Sequence, residues 1–183
     1  TTNFGAGILS SATVTSTGNH TITFNILSDA TYTGKTITLT DAVGNESSLT
    51  LDAFTVDTTA PTISAVTQIA TDTSDNTPSY VFTTNETGTV TTNIGAGILS
   101  GATVTSTGNH TITFNILSDA TYTGKTITLT DAAGNESSLT LDAFTVDTTA
   151  PTISAVTQIA TDTSDNTPSY VFTTNETGTV TTN

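Results

Sequence analysis

"HTITFNIL", residues His110–Leu117, sets Ile112, Phe114 and Ile116 on one side of an extended chain and Thr111, Thr113 and Asn115 on the other. A period of two is what a β-strand with one buried face requires. Downstream, "KTITLT" (Lys125–Thr130) repeats the alternation with Ile127 and Leu129. "DAAGNES" (Asp131–Ser137) then supplies turn chemistry, with Gly134 and Asn135 free to take positive φ. The strand that follows, "SLTLDAFTV" (Ser138–Val146), changes phase: Leu139 and Leu141 are odd-numbered, Phe144 and Val146 even. That slip predicts a bulge near Asp142 or Ala143.

Working upstream, Thr62–Ile69 reads as a first strand. After the polar "TDTSDNT" comes "SYVFTTN", in which Tyr80 and Phe82 share a face. "NETG" (Asn85–Gly88) turns into "TVTTN"; "ATVTS" is a short, edge-like fourth strand. The three glycines of "IGAGILSG" between them argue against a regular strand there. Seven strands in one such stretch have the count and size of an immunoglobulin-like β-sandwich, so the expected fold class is all-β, built of tandem seven-stranded units. Composition agrees: 25 of the first 90 residues are Thr, a β-branched residue suited to a pleated, half-solvated surface.

Shifted by 90 places, the sequence matches itself except at Phe4/Ile94, Ser11/Gly101 and Val43/Ala133, and Thr181–Asn183 open a third copy. The period is too long for a β-helix coil and fits an array of autonomous domains. "VDTTAPTIS" occurs at Val56–Ser64 and again at Val146–Ser154. Pro gives no ladder hydrogen bond and extends the residue before it, so Ala60-Pro61 marks a joint or the mouth of a first strand. The predicted units are therefore 1–57, the last five strands of one repeat; 58–147, a complete repeat; and 148–183, the first two strands of the next. Incomplete sandwiches expose apolar faces and open edges, so completion by further chain or by strands from a neighbouring molecule is expected.

Two Lys and no Arg stand against 16 acidic residues, a net charge of −14. Nucleic acid and membrane surfaces are poor partners for such a chain, because the groups that neutralise phosphate are missing. With no Cys, disulfides, thiolate metal sites and cysteine nucleophiles are excluded, while the redox compartment stays open. No apolar run is long enough to span a bilayer as a helix, and the first residues carry no basic segment followed by an apolar core, so any signal or anchor lies outside these residues.

At "DTTAPTIS", "TPSYVFTTNETGTV" and "DATYTGKTITLTDAAGNESSLTLDAFTVD" the chain resembles the bacterial immunoglobulin-like repeats that occur in tandem in large, RTX-type surface adhesins. It departs from them at Ala120, where many relatives carry Gly before the Thr-Tyr step, and it has no Gly- and Asp-rich nonapeptides. The resemblance implies an extracellular, cell-surface location, a role in adhesion and biofilm, and calcium at the joints between repeats.

Sandwich topology of this kind groups the acidic residues at the two poles of the central unit. Around the first joint it gathers Asp57, Glu86, Asp131, Asn135 and Glu136, with Asp29 from the preceding unit; around the second, Asp147, Asp72, Asp75, Asn76 and Asp119, with Asn175 and Glu176. Hard oxygen donors without His or Cys suit Ca²⁺ as a structural cofactor, and a cation tying two poles would stiffen the array. The same residues also serve as ordinary solvated turn formers. His20 and His110, each in "GNHT" ahead of a strand, read as loop residues with no partners for a catalytic triad, and near-identical copies without a cleft signature suit length and strength rather than an enzyme. Thr-x-Thr pairs follow from alternation alone, without an ice-binding role. Tyr122 is a candidate for a tyrosine corner. Three functions remain: a structural extender of a cell-surface adhesin, stiffened by calcium; a filament subunit assembled by strand complementation; and a glycan- or surface-binding module. The partners expected are neighbouring repeats of the same or adjacent chains, with a glycan or surface ligand elsewhere in the full protein.

Overall fold

A computed structural model describes residues 3–4, 7–10 and 13–182. Every regular element among them is a strand. Before the first joint lie β1 (Ile8–Ser10), β2 (Thr23–Phe24), β3 (Ala30–Tyr32), β4 (Thr36–Thr40), β5 (Glu46–Thr50) and β6 (Phe54–Val56). After Pro61 come β7 (Ile63–Thr67), β8 (Asp72–Thr73), β9 (Ser79–Thr84), β10 (Gly88–Thr92), β11 (Ile98–Ser100), β12 (Thr103–Val104) and β13 (Gly108–Phe114). These lead into β14 (Ala120–Tyr122), β15 (Thr126–Thr130), β16 (Glu136–Thr140) and β17 (Phe144–Val146); β18 (Ile153–Thr157) and β19 (Val171–Thr174) lie beyond the second joint.

The central strands form two antiparallel sheets of four, in the orders β12-β10-β15-β16 and β11-β13-β9-β7, with a smaller sheet β14-β17-β8 in which β8 runs parallel to β17. One core joins them. Tyr80 and Phe82 of β9 and Ile112 and Phe114 of β13 meet Val90, Ile127 and Leu129 of the other sheet, together with Phe144 and Val146 of β17. Register explains the pairing: Tyr80 lies opposite Ile112 and Val90 opposite Leu129, so alternate residues of each ladder face the same way. Each of the Val, Leu, Ile and Phe side chains among them, fully withdrawn from water, contributes about 1.5–3 kcal/mol.

On the outer faces, hydroxyls pair across the strands. Ser79 meets Thr113 at 3.0 Å, Thr128 meets Ser138 at 2.8 Å and Thr121 meets Thr145 at 3.1 Å. Tyr122 stacks on Phe144 at 5.1 Å and donates its hydroxyl to the Ser118 carbonyl, 2.9 Å away and four residues back, as a tyrosine corner does.

Four local expectations change. The chain does not bulge at Asp142 and Ala143; it ends β16 at Thr140, restarts at Phe144 and transfers from the sheet of β15 to that of β14. The phase slip therefore records a change of sheet, with Leu139 and Leu141 serving one and Phe144 and Val146 the other. β13 ends at Phe114, so Ile116 is 73% exposed and Leu117 turns inward, its amide held by the Asn76 carbonyl at 2.8 Å. The glycine-rich segment does contain a strand, β11, because Gly97 (φ 77°) and Gly101 (φ 80°) bracket it instead of interrupting it. His110 sits inside β13, its Nε2 2.6 Å from the Ser106 carbonyl.

The core cluster lies wholly between Tyr80 and Val146, with Ile63 and Ile69 packed against it. Leucines of the identical hairpin outside that stretch are exposed: Leu129 is fully buried, whereas Leu39, one period earlier, is 57% exposed. Residues before the first joint keep a smaller aromatic cluster, in which Phe4 lies 4.2 Å from Phe24 and Tyr32 stacks on Phe54 at 5.3 Å.

Gly101 gives a direct test of the packing. It has positive φ, and a Cβ there would collide with the Thr111 carbonyl. Gly101→Ser, which installs the residue found at position 11, is expected to destabilise the central unit by roughly 1–3 kcal/mol from backbone conformation alone. Thermal unfolding of the variant measures this, and a melting temperature equal to that of the unsubstituted chain would show that β11 does not pack as described.

Candidate functional site

The first joint is held from both sides. Asp29, just ahead of β3, accepts hydrogen bonds on Oδ1 from the Thr58 amide (3.1 Å) and hydroxyl (2.8 Å), and on Oδ2 from the Thr59 hydroxyl (2.7 Å). On the other side Asn135 donates its side-chain amide to the Asp57 carbonyl at 3.1 Å, and Asn85 Oδ1 accepts from the Thr62 amide at 2.6 Å. Asp57 caps its own linker by accepting from the Thr59 amide at 3.1 Å. Residues 57–62, which alternation alone leaves as irregular chain, are thus fixed by side chains of short polar residues.

Asn135 occupies its position because of the turn between β15 and β16. Asp131 Oδ1 accepts from the amides of Ala133 (2.8 Å), Gly134 (2.7 Å) and Asn135 (2.9 Å), and Oδ2 accepts from the Asn135 side chain at 2.9 Å. Gly134, at φ 95°, makes this wrap possible. The Asn135 side chain therefore joins the turn to the linker through one amide group. Asp41 and Asn45 build the same turn one repeat earlier, with bonds of 2.8 Å from both the Asn45 amide and its side chain.

Three carboxylates converge here. Asp57, Glu86 and Asp131, each half-buried, bring one oxygen apiece within 4.8 Å of one another. Oxygens sharing one Ca²⁺ at 2.3–2.6 Å stand at most about 5 Å apart, so the spacing fits that ion, and the all-oxygen donor set suits a hard cation. Neither Lys offers the group a counter-charge in the described contacts: Lys35 Nζ lies 3.3 Å from the Asn3 carbonyl and 5.9 Å from the Phe4 ring, and Lys125 precedes β15 at the far end of its hairpin from Asp131. Asp29 and Glu136 stand outside the three. Asp29 is engaged by Thr58 and Thr59, and Glu136 accepts from the Thr130 hydroxyl within its own hairpin at 3.1 Å.

The second joint repeats the clamp. Asp119 accepts from the Thr148 amide (3.0 Å) and hydroxyl (2.8 Å) and from the Thr149 hydroxyl (2.7 Å); Asp147 accepts from the Thr149 amide at 3.0 Å. Asn175 Oδ1 accepts from the Thr152 amide at 2.7 Å, and its side-chain amide donates to Glu176 at 3.1 Å. The other residues grouped here by topology work separately. Asp75 holds Thr77 through its amide (2.8 Å) and hydroxyl (3.1 Å), Asp72 lies in β8, and the Asn76 carbonyl receives Leu117. Asp147 and Glu176 are one period beyond Asp57 and Glu86, and the equivalent of Asp131 falls past residue 183.

Thr58, Thr59 and Asn85, together with Thr148 and Thr149, are joint residues that sequence reasoning did not single out, whereas Asn175 is among those grouped at the second joint by topology. Their signal is the Thr-Thr pair that directly follows each linker Asp, but the clamping Asp29 and Asp119 lie 29 residues before the first Thr of each pair, a separation no local motif spans. Compared with protein-family models and with curated proteins, the sequence matches none.

Hydrogen bonding sets the carboxylate chemistry. The Asn135 side chain, with the amides of residues 133–135, holds Asp131 below the usual carboxylate range, and burial opposes this only in part. Asp29 and Asp119 are lowered in the same direction, chiefly by the hydroxyls of Thr59 and Thr149. A carboxyl whose pKa is lower folded than unfolded stabilises the fold above its unfolded value and loses that contribution as the pH falls through the folded one. Melting temperature is therefore expected to hold steady from neutral pH to about pH 5 and to drop below about pH 4. Asp131→Ala removes part of that acid-sensitive stability. An acid limb of the same height in the variant would mean that the Asp131 turn carries none of it.

Proposed function

We propose that this chain is part of a structural stalk, a run of β-repeats that holds a more distal element away from a bacterial cell surface, with calcium bracing the joints. The observation that supports this best is the repetition of the joint itself. Asp29 and Asp119 grip Thr58-Thr59 and Thr148-Thr149 through the same three hydrogen bonds, equal to within 0.1 Å. A reproducible joint between near-identical units sums to a directed rod, whereas flexible linkers let each unit reorient. The resemblance to adhesin repeats and the high negative charge suit the outside of a cell.

Calcium enters through Asp57, Glu86 and Asp131. Asp57 belongs to the linker, Glu86 to the turn after β9 and Asp131 to the turn after β15, so an ion held by all three adds a third tie to those of Asn85 and Asn135. It also neutralises a concentration of like charge that otherwise favours separation.

Two measurements test the reading. In X-ray scattering, arrays extended by further 90-residue copies should lengthen by a constant increment per copy; a maximum dimension growing as the square root of copy number would point to freely jointed beads and end the stalk reading. Separately, calcium at about 100 times its Kd should add roughly 2.7 kcal/mol of stability over chelator. Glu86→Gln should abolish that calcium-dependent gain without lowering the chelated protein's melting temperature, since its side chain accepts only a 3.4 Å bond from Asn85 and the substitution removes one of three like charges. Equal melting of the unsubstituted chain with calcium and with chelator would remove calcium from the joint.

A further inference from the structure

The chain enters the central unit through β7 and leaves it through β17, and both routes change sheet on the way. β7 pairs with β9 in one sheet, after which the chain crosses at residues 68–71 and lays β8 against β17. β16 pairs with β15 in the other sheet, and the chain crosses at residues 141–143 into β17. The two crossings meet, since Gln68 Oε1 accepts from the Asp142 amide at 3.5 Å. Both routes also start and finish together. β7 begins beside Asn85 and β16 beside Asn135, the two side chains that hold the first linker. β8 and β17 end side by side at the second, where the Thr73 carbonyl accepts from the Asp147 amide at 3.0 Å.

β8 and β17 form the one parallel ladder among the described residues, with Thr145 opposite Asp72 and Val146 opposite Thr73. The Thr71 carbonyl accepts from the Thr145 amide at 2.7 Å. On its other edge β17 is antiparallel to β14, from Ala120 opposite Val146 to Tyr122 opposite Phe144, and the Thr121 and Thr145 hydroxyls meet at 3.1 Å. Phe144 and Val146 are buried in the core. This strand of three residues is therefore held along both edges and from beneath.

Tension along the chain reaches the unit at Thr58 and leaves it at Asp147. β8 is then drawn back toward the first joint and β17 forward toward the second, so the two parallel strands are pulled past each other. Ladder hydrogen bonds run from strand to strand. Sliding the strands lengthwise strains all of these bonds at once, whereas opening a hairpin from its end breaks them in turn. The second joint spreads the load further. Asp119 directly precedes β14 and grips Thr148 and Thr149, so a pull on that linker is divided between β14 and β17.

We propose that β17, held between β8 and β14, is a load-bearing lock that makes the central unit resist unfolding under tension along the chain. It rests on the stalk reading, since a stalk carries tension between its ends. Resistance to force is set by the rate of unfolding, so the lock acts on that rate.

Stretching the 183-residue chain by its two ends at constant force, with chelator present, tests the proposal. The expected record contains one abrupt event that releases about 300 Å of chain, the length of residues 58–147 at roughly 3.5 Å each. Thr145→Pro removes the donor to Thr71. Asp147→Pro removes the donor to Thr73 at the outer end of the ladder, and serves if the first variant does not fold. Ile127→Val and Leu129→Ala, on β15, weaken the core away from the strands that the linkers pull. At equal loss of stability, each proline variant should unfold under load on the order of 10-fold faster than these core variants. Proline variants that unfold no faster than core variants of equal stability overturn the proposal, as does an unsubstituted unit that comes apart in a series of small steps. Because the event belongs to one unit, scattering from freely jointed beads would end the stalk reading and leave the rupture unchanged. A rigid rod in which proline and core variants behave alike would end the lock alone.

Discussion

An extended chain that alternates threonine with large apolar residues has one face content in water and one that must be covered. The packed core of this protein depends on covering that face. In the central stretch, two four-stranded sheets and a smaller third one bring Tyr80, Phe82, Ile112, Phe114, Ile127, Leu129 and Phe144 into a single core. The outward hydroxyls, unable to contribute to that core, pair across the strands as Ser79 does with Thr113 and Thr128 with Ser138. Threonine thus serves the fold twice, through the stiffness of its branched carbon and through a hydroxyl that finds a partner at the spacing of the ladder.

The joints follow a different chemistry. Almost no apolar area is available to a six-residue linker, so its path is fixed by short polar side chains that satisfy backbone amides. Asp29 and Asp119 act from the unit before each joint, Asn85 and Asn175 from the turn after it, and Asn135 from across the unit. In a chain with two cations, carboxylates have few ion-pair partners and are stabilised by hydrogen bonds instead. Asp131 shows the effect, its carboxyl lowered by Asn135 and three backbone amides while Asp57 and Glu86 lie close by. That three carboxylates nonetheless meet at the first joint is the observation on which the calcium proposal rests.

Much of the fold was legible in the alternation. β7, β9, β10 and β15 fall where the period of two places them, and β13 does so as far as Phe114, because a strand with one buried face leaves that trace in sequence. What was not legible arose from pairings between distant residues. β14 and β8 are short and lack alternation of their own; they exist because β17 lies between them. β11 depends on glycines that lie outside it, one of them pressed against Thr111 of β13. The acidic group was readable in part, since Asp57, Glu86 and Asp131 each sit in a recognisable turn or linker. The clamp on Thr58 and Thr59 was not, because Asp29 reaches them only through the pairing of β3 with β6.

The two copies of the repeat separate the contributions of sequence and tertiary structure. Local chemistry is fixed by sequence alone: the Asp131 turn recurs at Asp41, the Tyr122 hydroxyl bond recurs at Tyr32 with 2.8 Å to Ser28, and the hydroxyl pair Thr121–Thr145 recurs at Thr31–Thr55. Hairpins and turns need only neighbours a few residues away, or strands that the same copy supplies. Burial was not fixed by sequence. Leu129 and Leu39 share the same residues on both sides, yet one is enclosed and the other open to water, as are Val90 and Val180. The reason is that apolar side chains are withdrawn from solvent only by a second sheet, and whether that sheet is at hand is decided by which strands the tertiary structure brings against them.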